Sequence, residues 1–281
     1  MSDLVWIDGL VWIDGEVVPA TEATVSVFDR GLTVGDGVFE TLKALDGVPF
    51  ACRRHLDRLR RSAAGLDLDV SWADDDLRSA MGAVLMASGL SLARVRITVT
   101  AGAAPLGWDR LDGPATVIVA AGALASPAPS AAVCTVPWPL NERGALAGLK
   151  TISYAEHVRA LAHAKARGCA EAILATTTGL LCEGTGSNVF VVHHDRLITP
   201  PLSSGCLPGV TRDLVLELTD ATEAHLPIEA LAEVDEAFLT STTRGVQPIA
   251  SIDGRALGAV GPRTMAAATA LAALEAATAD P

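Results

Sequence analysis

The sequence predicts a mixed α+β protein built from two domains. The chain has 281 residues and half of them are apolar, which supplies core for one large or two medium domains. Strand-like and helix-like segments alternate irregularly and include several hairpins, which favours mixed sheets over a doubly wound parallel sheet. A segment rich in Pro, Ala and Ser at 122–132 is typical of a linker. We therefore expect a small N-terminal domain at 1–121 and a larger C-terminal domain at 133–281.

The composition argues against several classes of partner. The formal charge is -12, and an acidic protein is repelled by nucleic-acid backbones and by anionic membranes. No apolar run is long enough to span a bilayer, and the N-terminus lacks the basic start of a signal peptide. The five cysteines form no CxxC pair and none has a histidine at ligand spacing, so we expect no metal site. Scattered thiols of this kind are typical of a protein in the reducing cytoplasm.

The N-terminal domain begins with a tandem repeat, because LVWIDG occurs at 4–9 and again at 10–15. A short apolar strand that ends in Asp-Gly predicts half of a hairpin, and one copy is enough to pair with 16–19. No function follows from the other copy. The segment 26–37 contains two glycine turns, and we interpret it as a strand followed by a loop before the apolar strand 38–45.

Two helices and two further strands complete this domain. Leu56, Leu59 and Ala63 share one helical face in the arginine-rich segment 53–66. The segment 72–88 is amphipathic and carries three acidic residues in its first turn, where the helix dipole favours them. Strands are predicted at 93–100 and 116–121, and the long loop between them is typical of a pocket rim.

The C-terminal domain is predicted to mix short strands with three helices. The strands are expected at 132–137, 171–176, 189–193, 197–199 and 237–241, and the helices at 155–167, 212–221 and 262–277.

Lys150 is the first candidate for chemistry, because it is one of only three lysines and lies between an apolar segment and a helix. Apolar neighbours favour the neutral form of an amine, and a neutral amine attacks an aldehyde. The alternative is a surface lysine near a helix start. Three further features are compatible with the same chemistry. Glu183 precedes the turn EGTGSN, Gly209-Val210-Thr211 leads into a helix N-terminus suited to an anion, and Ser241-Thr242-Thr243 is a hydroxyl cluster at a strand end.

An imine-forming lysine, an isolated carboxylate and two anion sites are what pyridoxal 5'-phosphate requires. The lysine binds the aldehyde, the carboxylate keeps the pyridine nitrogen protonated, and the anion sites hold the phosphate. A nucleotide-binding enzyme is disfavoured, since neither a GxGxxG fingerprint nor a Walker loop follows a predicted strand.

The chain also resembles the class IV aminotransferases, the fold-type IV group of pyridoxal-phosphate enzymes. That family includes branched-chain and D-amino acid aminotransferases, (R)-amine transaminases and 4-amino-4-deoxychorismate lyase. The resemblance spans about residues 11–255 and keeps the family's order of motifs. The matching segments are DRGLTVGDGVFE, HLDRLRRSA, LKTISY, KARGCAEAIL, EGTGSNVFVV, LPGVTRD and FLTSTTRGVQPI. It implies a two-domain fold-type IV architecture, with a small α/β domain and a larger domain containing a mixed sheet or barrel.

The resemblance implies a role for each matching position. Lys150 would be the Schiff-base lysine and would move the proton, and Glu183 would pair with the pyridine nitrogen. The remaining cofactor contacts would come from Arg58 at the phosphate, Tyr154 near the phenolic oxygen, Ser187 and Asn188 beneath the ring, and Val210, Thr211, Thr242 and Thr243 around the phosphate.

The resemblance leaves the substrate site more open. Phe39 would line the substrate pocket. Ala101 occupies the position where D-amino acid enzymes of the family carry a carboxylate-binding arginine, so Arg110 and Arg143 are the alternative anchors. Either arginine could instead form an ordinary surface salt bridge.

The expected activity is amino-group transfer between a small amino acid or an (R)-amine and a 2-keto acid. One alternative is 4-amino-4-deoxychorismate lyase, which releases pyruvate, because NERGALAGLKTISYAE and PLGWDR resemble bacterial proteins with that name. Another is a non-catalytic protein that binds pyridoxal phosphate as a sensor or carrier. The resemblance further implies a homodimer.

Overall fold

A computed structural model describes residues 9–110 and 113–281, so most of the first LVWIDG copy lies outside the described residues. The chain forms two compact units. The first contains the residues up to Ala125, together with Leu149–Ser153 and Ala279–Pro281. The second contains Ser126–Gly148 and Tyr154–Thr278. Both units combine helices with a sheet, which confirms the predicted α+β class.

The first unit is a six-stranded sheet with helices packed against it. Its strands are β1 (Leu10–Ile13), β2 (Glu16–Pro19), β3 (Gly37–Leu45), β4 (Val48–Pro49), β5 (Leu92–Thr100) and β6 (Thr116–Ala123), and its helices are α1 (Arg30–Val34), α2 (Cys52–Gly65) and α3 (Asp74–Ser88). The strand order is β2-β1-β6-β5-β3-β4, and neighbouring strands are antiparallel. The apolar face predicted for α2 is buried at Leu56, Leu59 and Ala63.

The segment 26–37 differs from the sequence-based interpretation, because it contains the short helix α1 and no strand. The Asp29 side chain accepts a hydrogen bond from Gly31 N, which caps the first turn. Gly35 then ends the helix in the left-handed conformation that glycine adopts without steric cost.

The central strand β3 presents two chemically different faces. Val38, Leu42 and Ala44 point into the apolar core beneath the helices, and Glu40 lies on the same face by the two-residue period of a strand. Phe39 belongs to the opposite face. A buried carboxylate is therefore fixed among apolar side chains, one residue away from the aromatic ring predicted to meet the substrate.

The second unit contains a nine-stranded mixed sheet. Its strands are β7 (Ala131–Thr135), β8 (Glu171–Ala175), β9 (Leu181–Gly184), β10 (Asn188–His193), β11 (Arg196–Thr199), β12 (Thr222–Glu223), β13 (Glu236–Ser241), β14 (Gly245–Ile252) and β15 (Arg255–Ala256). The order is β12-β11-β10-β13-β14-β7-β8-β9, and β15 pairs with β14. The helices are α4 (Ala155–Lys165), α5 (Val210–Leu218) and α6 (Pro262–Ala277). Parallel pairs join β7 to β8, β14 to β7 and β11 to β12, which makes the sheet mixed.

The units differ from the predicted domain boundaries in two ways. Strand β6 extends to Ala123 and β7 begins at Ala131, so the predicted linker 122–132 includes residues of both strands. The segment Leu149–Ser153, which carries Lys150, belongs to the first unit although it was expected in the C-terminal domain. Its hydrogen bonds to β3 explain this difference, because they are long-range contacts that composition does not reveal.

The cysteines are all reduced, and four of the five are buried. Burial raises the pKa of the Cys206 thiol to about 11, so this sulfur is protonated and unreactive at neutral pH. Within the described ranges, the helices are too short or too polar to cross a bilayer.

Candidate active site

Lys150 lies on a short segment that runs along the beginning of β3. Phe39 N donates to Lys150 O over 3.0 Å, and Ile152 N donates to Gly37 O over 2.9 Å. Lys150 N donates to the Ser62 hydroxyl on α2 over 3.0 Å. A Cβ at Gly37 would lie 2.5 Å from Val99 O on β5 and 2.9 Å from Ile152 Cδ1 on this segment, so both close approaches favour glycine there. The backbone of Lys150 is therefore fixed at both its N–H and its carbonyl.

The Lys150 side chain lies against the ring of Phe39. Its Nζ is 4.3 Å from the ring centroid, which is within the range of a cation–π contact. The Arg96 guanidinium carbon lies 3.8 Å from the same centroid. Phe39 pairs with Thr98 across β3 and β5, so Arg96 is its diagonal neighbour on that face. The structure thus brings a second cation to the predicted substrate residue.

Arg96 was missed by the sequence-based reasoning. It precedes the loop in which Arg110 was chosen, and no motif distinguishes it from Arg94 two residues earlier. The missing information is the β3–β5 register, which places Arg96 diagonally opposite Phe39. Two-residue alternation in a strand would have put Arg94 and Arg96 on one face without showing which one faces Phe39.

Arg58 is buried on α2 in a charged cluster with Glu40 and His55. Arg58 Nε donates to Glu40 Oε1 over 2.7 Å, and Nη2 donates to Oε2 over 2.8 Å. His55 Nδ1 lies 2.7 Å from Glu40 Oε2. Burial alone would raise the pKa of Glu40, but Arg58 and His55 hold it far below its usual range. Glu40 therefore stays ionised and fixes the guanidinium of Arg58 in place.

Arg110, one of the predicted substrate anchors, is held by Asp36 directly before β3. Its Nε donates to Asp36 Oδ2 over 2.8 Å, and Arg30 Nε donates to the same oxygen over 3.0 Å. Burial raises the pKa of Asp36, but the hydrogen bonds from Arg110 and Arg30 outweigh it and lower the pKa overall. Arg110 thus fastens the loop 101–110 to the start of β3.

In the second unit, Glu183 lies at the end of β9 and is bound from two sides. Its Oε2 accepts a hydrogen bond from Leu207 N over 3.0 Å and from Asn188 Nδ2 over 3.3 Å. Asn188 Nδ2 also donates to Leu207 O over 2.8 Å. The structure therefore brings Glu183 and Asn188 together and ties both to the segment that precedes α5.

The beginning of α5 has the properties of an anion site. Gly209 is its N-cap and contributes no side-chain hydrogen bond, so the N–H groups of the first turn are not capped by a side chain. A Cβ on Gly209 would lie 2.0 Å from Asn188 Oδ1, so this approach requires glycine. Val210 and Thr211, both predicted phosphate contacts, are the first two residues of the helix and are buried.

The hydroxyl cluster lies between β13 and β14, and α5 packs against β13. Thr242 and Thr243 are partly exposed in this turn. Next to them, Ser241 Oγ and Thr240 Oγ1 are buried and have no hydrogen-bond partner among the described residues. Buried hydroxyls without a protein partner are costly, so each is available to a ligand or a water molecule.

A buried ion pair connects this hydroxyl turn to the turn after Glu183. Glu171 is 1% exposed, and its Oε1 accepts from Gly186 N over 3.0 Å and from the Thr185 hydroxyl. Its Oε2 lies 2.5 Å from Arg244 Nη1, and the two groups form an ion pair whose geometry is not that of a hydrogen bond. Glu171 and Arg244 were both missed by the sequence-based reasoning, because 73 residues separate them.

The remaining predicted residues are also in the second unit. Tyr154 precedes α4 and stacks on His157 with ring centroids 4.6 Å apart. Arg143 lies exposed in a turn around Asn141. Ser187 Oγ is buried and lacks a hydrogen-bond partner among the described residues.

One group of possible metal ligands lies elsewhere in this unit. His193, His194 and Glu233 place their ligand atoms within 4.8 Å of one another at the tip of the β10–β11 hairpin. This group is at the opposite end of β10 from Asn188. The sequence-based expectation of no metal site was drawn from the cysteines and did not consider these residues.

The residue types found at these positions are those that a pyridoxal-phosphate transferase requires. The sequence matches the family described as amino-transferase class IV over residues 37–252, so the chain belongs to the class IV aminotransferases.

Similar proteins carry related names. A D-alanine aminotransferase from Bacillus licheniformis is 30% identical, with 89% of this chain and 92% of the relative aligned. The structure of a branched-chain aminotransferase from Thermoproteus uzoniensis with norvaline is 30% identical and superposes with a TM-score of 0.88, covering 93% of each chain. A branched-chain amino acid aminotransferase from Escherichia coli is 28% identical with a TM-score of 0.90, and the match covers 95% of this chain and 94% of its own.

Enzymes of this family use pyridoxal phosphate, and the residues of this chain fit it. An aldehyde needs an amine, and Lys150 supplies one. A phosphate needs N–H and O–H donors, and the uncapped start of α5 and the buried hydroxyl of Ser241 supply them. A protonated pyridine nitrogen needs a carboxylate, and Glu183 is a buried one.

Proposed function

We propose that this chain binds pyridoxal phosphate through Lys150 and transfers an amino group between an aliphatic amino acid and a 2-keto acid. The observation that carries the proposal is the position of Lys150. Its backbone is fixed on β3 and α2, and its amine lies 4.3 Å from the centre of the Phe39 ring. These contacts fix where the amine lies, which supports its use as the attachment point for the cofactor.

The cofactor, when bound, supplies an electron sink that stabilises negative charge at the substrate α-carbon. Lys150 would provide the amine that holds the cofactor and would move a proton at the substrate α-carbon. Glu183 would hold a proton on the pyridine nitrogen, and its buried carboxylate is oriented by hydrogen bonds from Leu207 N and Asn188 Nδ2. Val210 N, Thr211, Thr242 and Thr243 would donate to the phosphate, and Arg58 would add a cation to it.

Arg96 is the best-supported anchor for the substrate carboxylate. It lies over the same Phe39 ring as Lys150, whereas Arg110 is occupied by Asp36. Arginine binds carboxylates through two parallel hydrogen bonds, which gives the substrate a fixed orientation. The (R)-amines considered from the sequence lack a carboxylate and would gain nothing from Arg96.

A branched-chain amino acid is the donor that we propose. Two similar structures are named for that activity, and one of them contains norvaline, an aliphatic amino acid. D-Alanine is the competing donor, because a relative of equal identity is named for it.

The cofactor assignment is tested by borohydride trapping followed by peptide mapping. The chain has only three lysines, so Lys43 and Lys165 are the only other attachment sites. Reduction should place the cofactor mass on the peptide that contains Lys150. Lys150→Ala should remove that adduct and lower turnover by about 10³-fold or more, and Lys43→Ala should retain both. An adduct at another lysine, or full activity of Lys150→Ala, would contradict the proposal.

The substrate assignment is tested with a panel of donors. Wild-type protein should form a 2-keto acid from L-valine or L-leucine faster than from D-alanine or an (R)-amine. Arg96→Gln should lower kcat/KM for amino acids about tenfold or more and leave an (R)-amine unaffected, while Arg94→Gln on the same strand should change neither. Pyruvate release from 4-amino-4-deoxychorismate alone would support the lyase, and bound cofactor without any turnover would support a sensor.

We also propose that the protein is a homodimer, as the family resemblance implies. Light scattering of the purified protein should give a mass near twice the 28.9 kDa of one chain. A mass of one chain at working concentrations would contradict this.

A further inference from the structure

The buried ion pair of Glu171 and Arg244 has no part in the function proposed above. We propose that Glu171 is a positioning residue, which fixes the turn beside Glu183 relative to the hydroxyl turn Ser241–Thr243 through Arg244. This inference rests on the proposed function, since the two turns are assigned to opposite ends of the cofactor.

Glu171 fixes the turn beside Glu183. Glu171 Oε1 accepts from Gly186 N and from the Thr185 hydroxyl, both within the turn between β9 and β10. Register places Glu183 opposite Leu174 on β8, three residues along from Glu171. The Glu171 carboxylate therefore sets the shape of the turn that joins Glu183 to Asn188. A Cβ on Gly184 would lie 3.2 Å from the Glu171 side chain, so the turn packs closely on it.

Arg244 connects Glu171 to the hydroxyl turn. Arg244 ends this turn, and its backbone N donates to Ser241 O over 3.2 Å. Its guanidinium reaches Glu171 Oε2 at 2.5 Å, and its side chain is 27% exposed. The residues between Ser241 and Arg244 are Thr242 and Thr243. Anchoring Arg244 therefore restrains the backbone that carries both predicted phosphate contacts.

Through these contacts the Glu171 carboxylate connects two turns. The turns are 55 residues apart in sequence, counted from Gly186 to Ser241. Burying a carboxylate is costly unless it is hydrogen-bonded or paired with a cation, and Arg244 is the cation that pairs with Glu171. A rigid bridge keeps a constant distance between the two turns, one of which would contact the nitrogen end of the cofactor and the other its phosphate end. The expected benefit is therefore tighter binding of a ligand that reaches both ends than of one that reaches a single end.

The test compares the affinity for pyridoxal phosphate with that for pyridoxal, which lacks the phosphate. Glu171→Gln and Arg244→Gln should each weaken pyridoxal phosphate about tenfold or more and change pyridoxal less than about threefold. The double variant should bind pyridoxal phosphate with the same affinity as the single variant that binds it less tightly, because both changes break the same bridge.

Two matched controls exist in the same unit. Glu236 is another buried carboxylate, but its Oε2 accepts from Thr264 N and Oγ1 at the start of α6. Arg263 has the same 27% exposure as Arg244 and pairs with Asp220. Glu236→Gln and Arg263→Gln should leave the ratio of the two affinities unchanged, even where they lower stability.

The outcomes separate this inference from the proposed function. Wild-type protein that binds no pyridoxal phosphate would overturn both. Wild-type binding with an unchanged affinity ratio in Arg244→Gln would overturn only the positioning role, and equal weakening of both ligands would show a general structural role instead. Arg244 is partly exposed, so its variant keeps the test decisive if Glu171→Gln fails to fold.

Discussion

Two of the buried carboxylates, one in each unit, differ in their hydrogen-bond partners. Glu40 in the first unit is bound by the cation Arg58 and by His55, so the positive charge of Arg58 compensates its negative charge. Glu183 in the second unit accepts from two neutral donors, Leu207 N and the Asn188 amide. A compensated carboxylate orients its partner, whereas one held by neutral donors retains charge to offer a protonated group. Glu40 therefore fixes the position of Arg58, whereas the role proposed for Glu183 is to contact the cofactor.

The largest effect is expected from a substitution that breaks the cluster of Glu40, Arg58 and His55. Glu40→Gln should lower the free energy of unfolding by about 3–5 kcal/mol, because it leaves the buried Arg58 without its charge partner. The control is Asp57→Asn, which breaks an exposed pair with Arg53 on the same helix and should cost under about 1 kcal/mol. Chemical denaturation followed by circular dichroism measures both. Equal free energies of unfolding for the two variants would show that the Glu40–Arg58 pair contributes no more to stability than the exposed pair.

The next effect concerns the other carboxylate and should appear in activity instead of stability. Glu183→Gln keeps an oxygen that can accept from Leu207 N and the Asn188 amide, so the free energy of unfolding should change by about 1 kcal/mol or less. Turnover should fall about 10²–10³-fold, the range for removing one fixed electrostatic contact. Steady-state kinetics and denaturation on the same preparation test this. A variant that is unstable but active per folded molecule would contradict the assigned role.

The smallest effect is a pH dependence of the first unit. Burial lowers the pKa of His55 below its usual 6.5, although Glu40 raises it in part, and Arg58 and Lys150 lower it further. The unfolded chain therefore binds one more proton below about pH 6.5, and stability falls as pH drops, by up to about 1.4 kcal/mol per pH unit. The depressed pKa of Glu40 has the same sign, and its contribution is lost only at more acidic pH, below 4.5.

A His55→Gln variant separates the two contributions. It should be less stable at pH 7.5 and should lose the decline between pH 6.5 and 5, because no proton is taken up there on unfolding at position 55. Thermal unfolding measured across that pH range checks it. An unchanged slope in the variant would assign the decline to other groups.

Local elements were predicted well from the sequence, because their signals are local. The helix expected at 262–277 is α6, which spans Pro262–Ala277. The amphipathic segment 72–88 forms α3, and its three acidic residues occupy the first turn as expected. The helix α1 was missed, because a five-residue helix has almost no periodicity and depends on the Asp29 cap.

Contacts over long sequence distances were not predictable in this way. Arg96 meets Phe39 only through the β3–β5 register, and Glu171 meets Arg244 only once β8 and the β13–β14 turn are folded. The segment Leu149–Ser153 joins the first unit by hydrogen bonds to β3, against the expectation from the linker position.

The sequence by itself determined the family and the residue types that pyridoxal phosphate requires, since Lys150, Glu183 and the start of α5 occur in recognisable local motifs. The tertiary structure decided which groups surround them. It made Glu40 the partner of Arg58, gave Phe39 two cations and joined two turns through Glu171. The physical reason is that a motif depends on neighbours along the chain, whereas a buried charge depends on whichever distant side chain compensates it when the core forms.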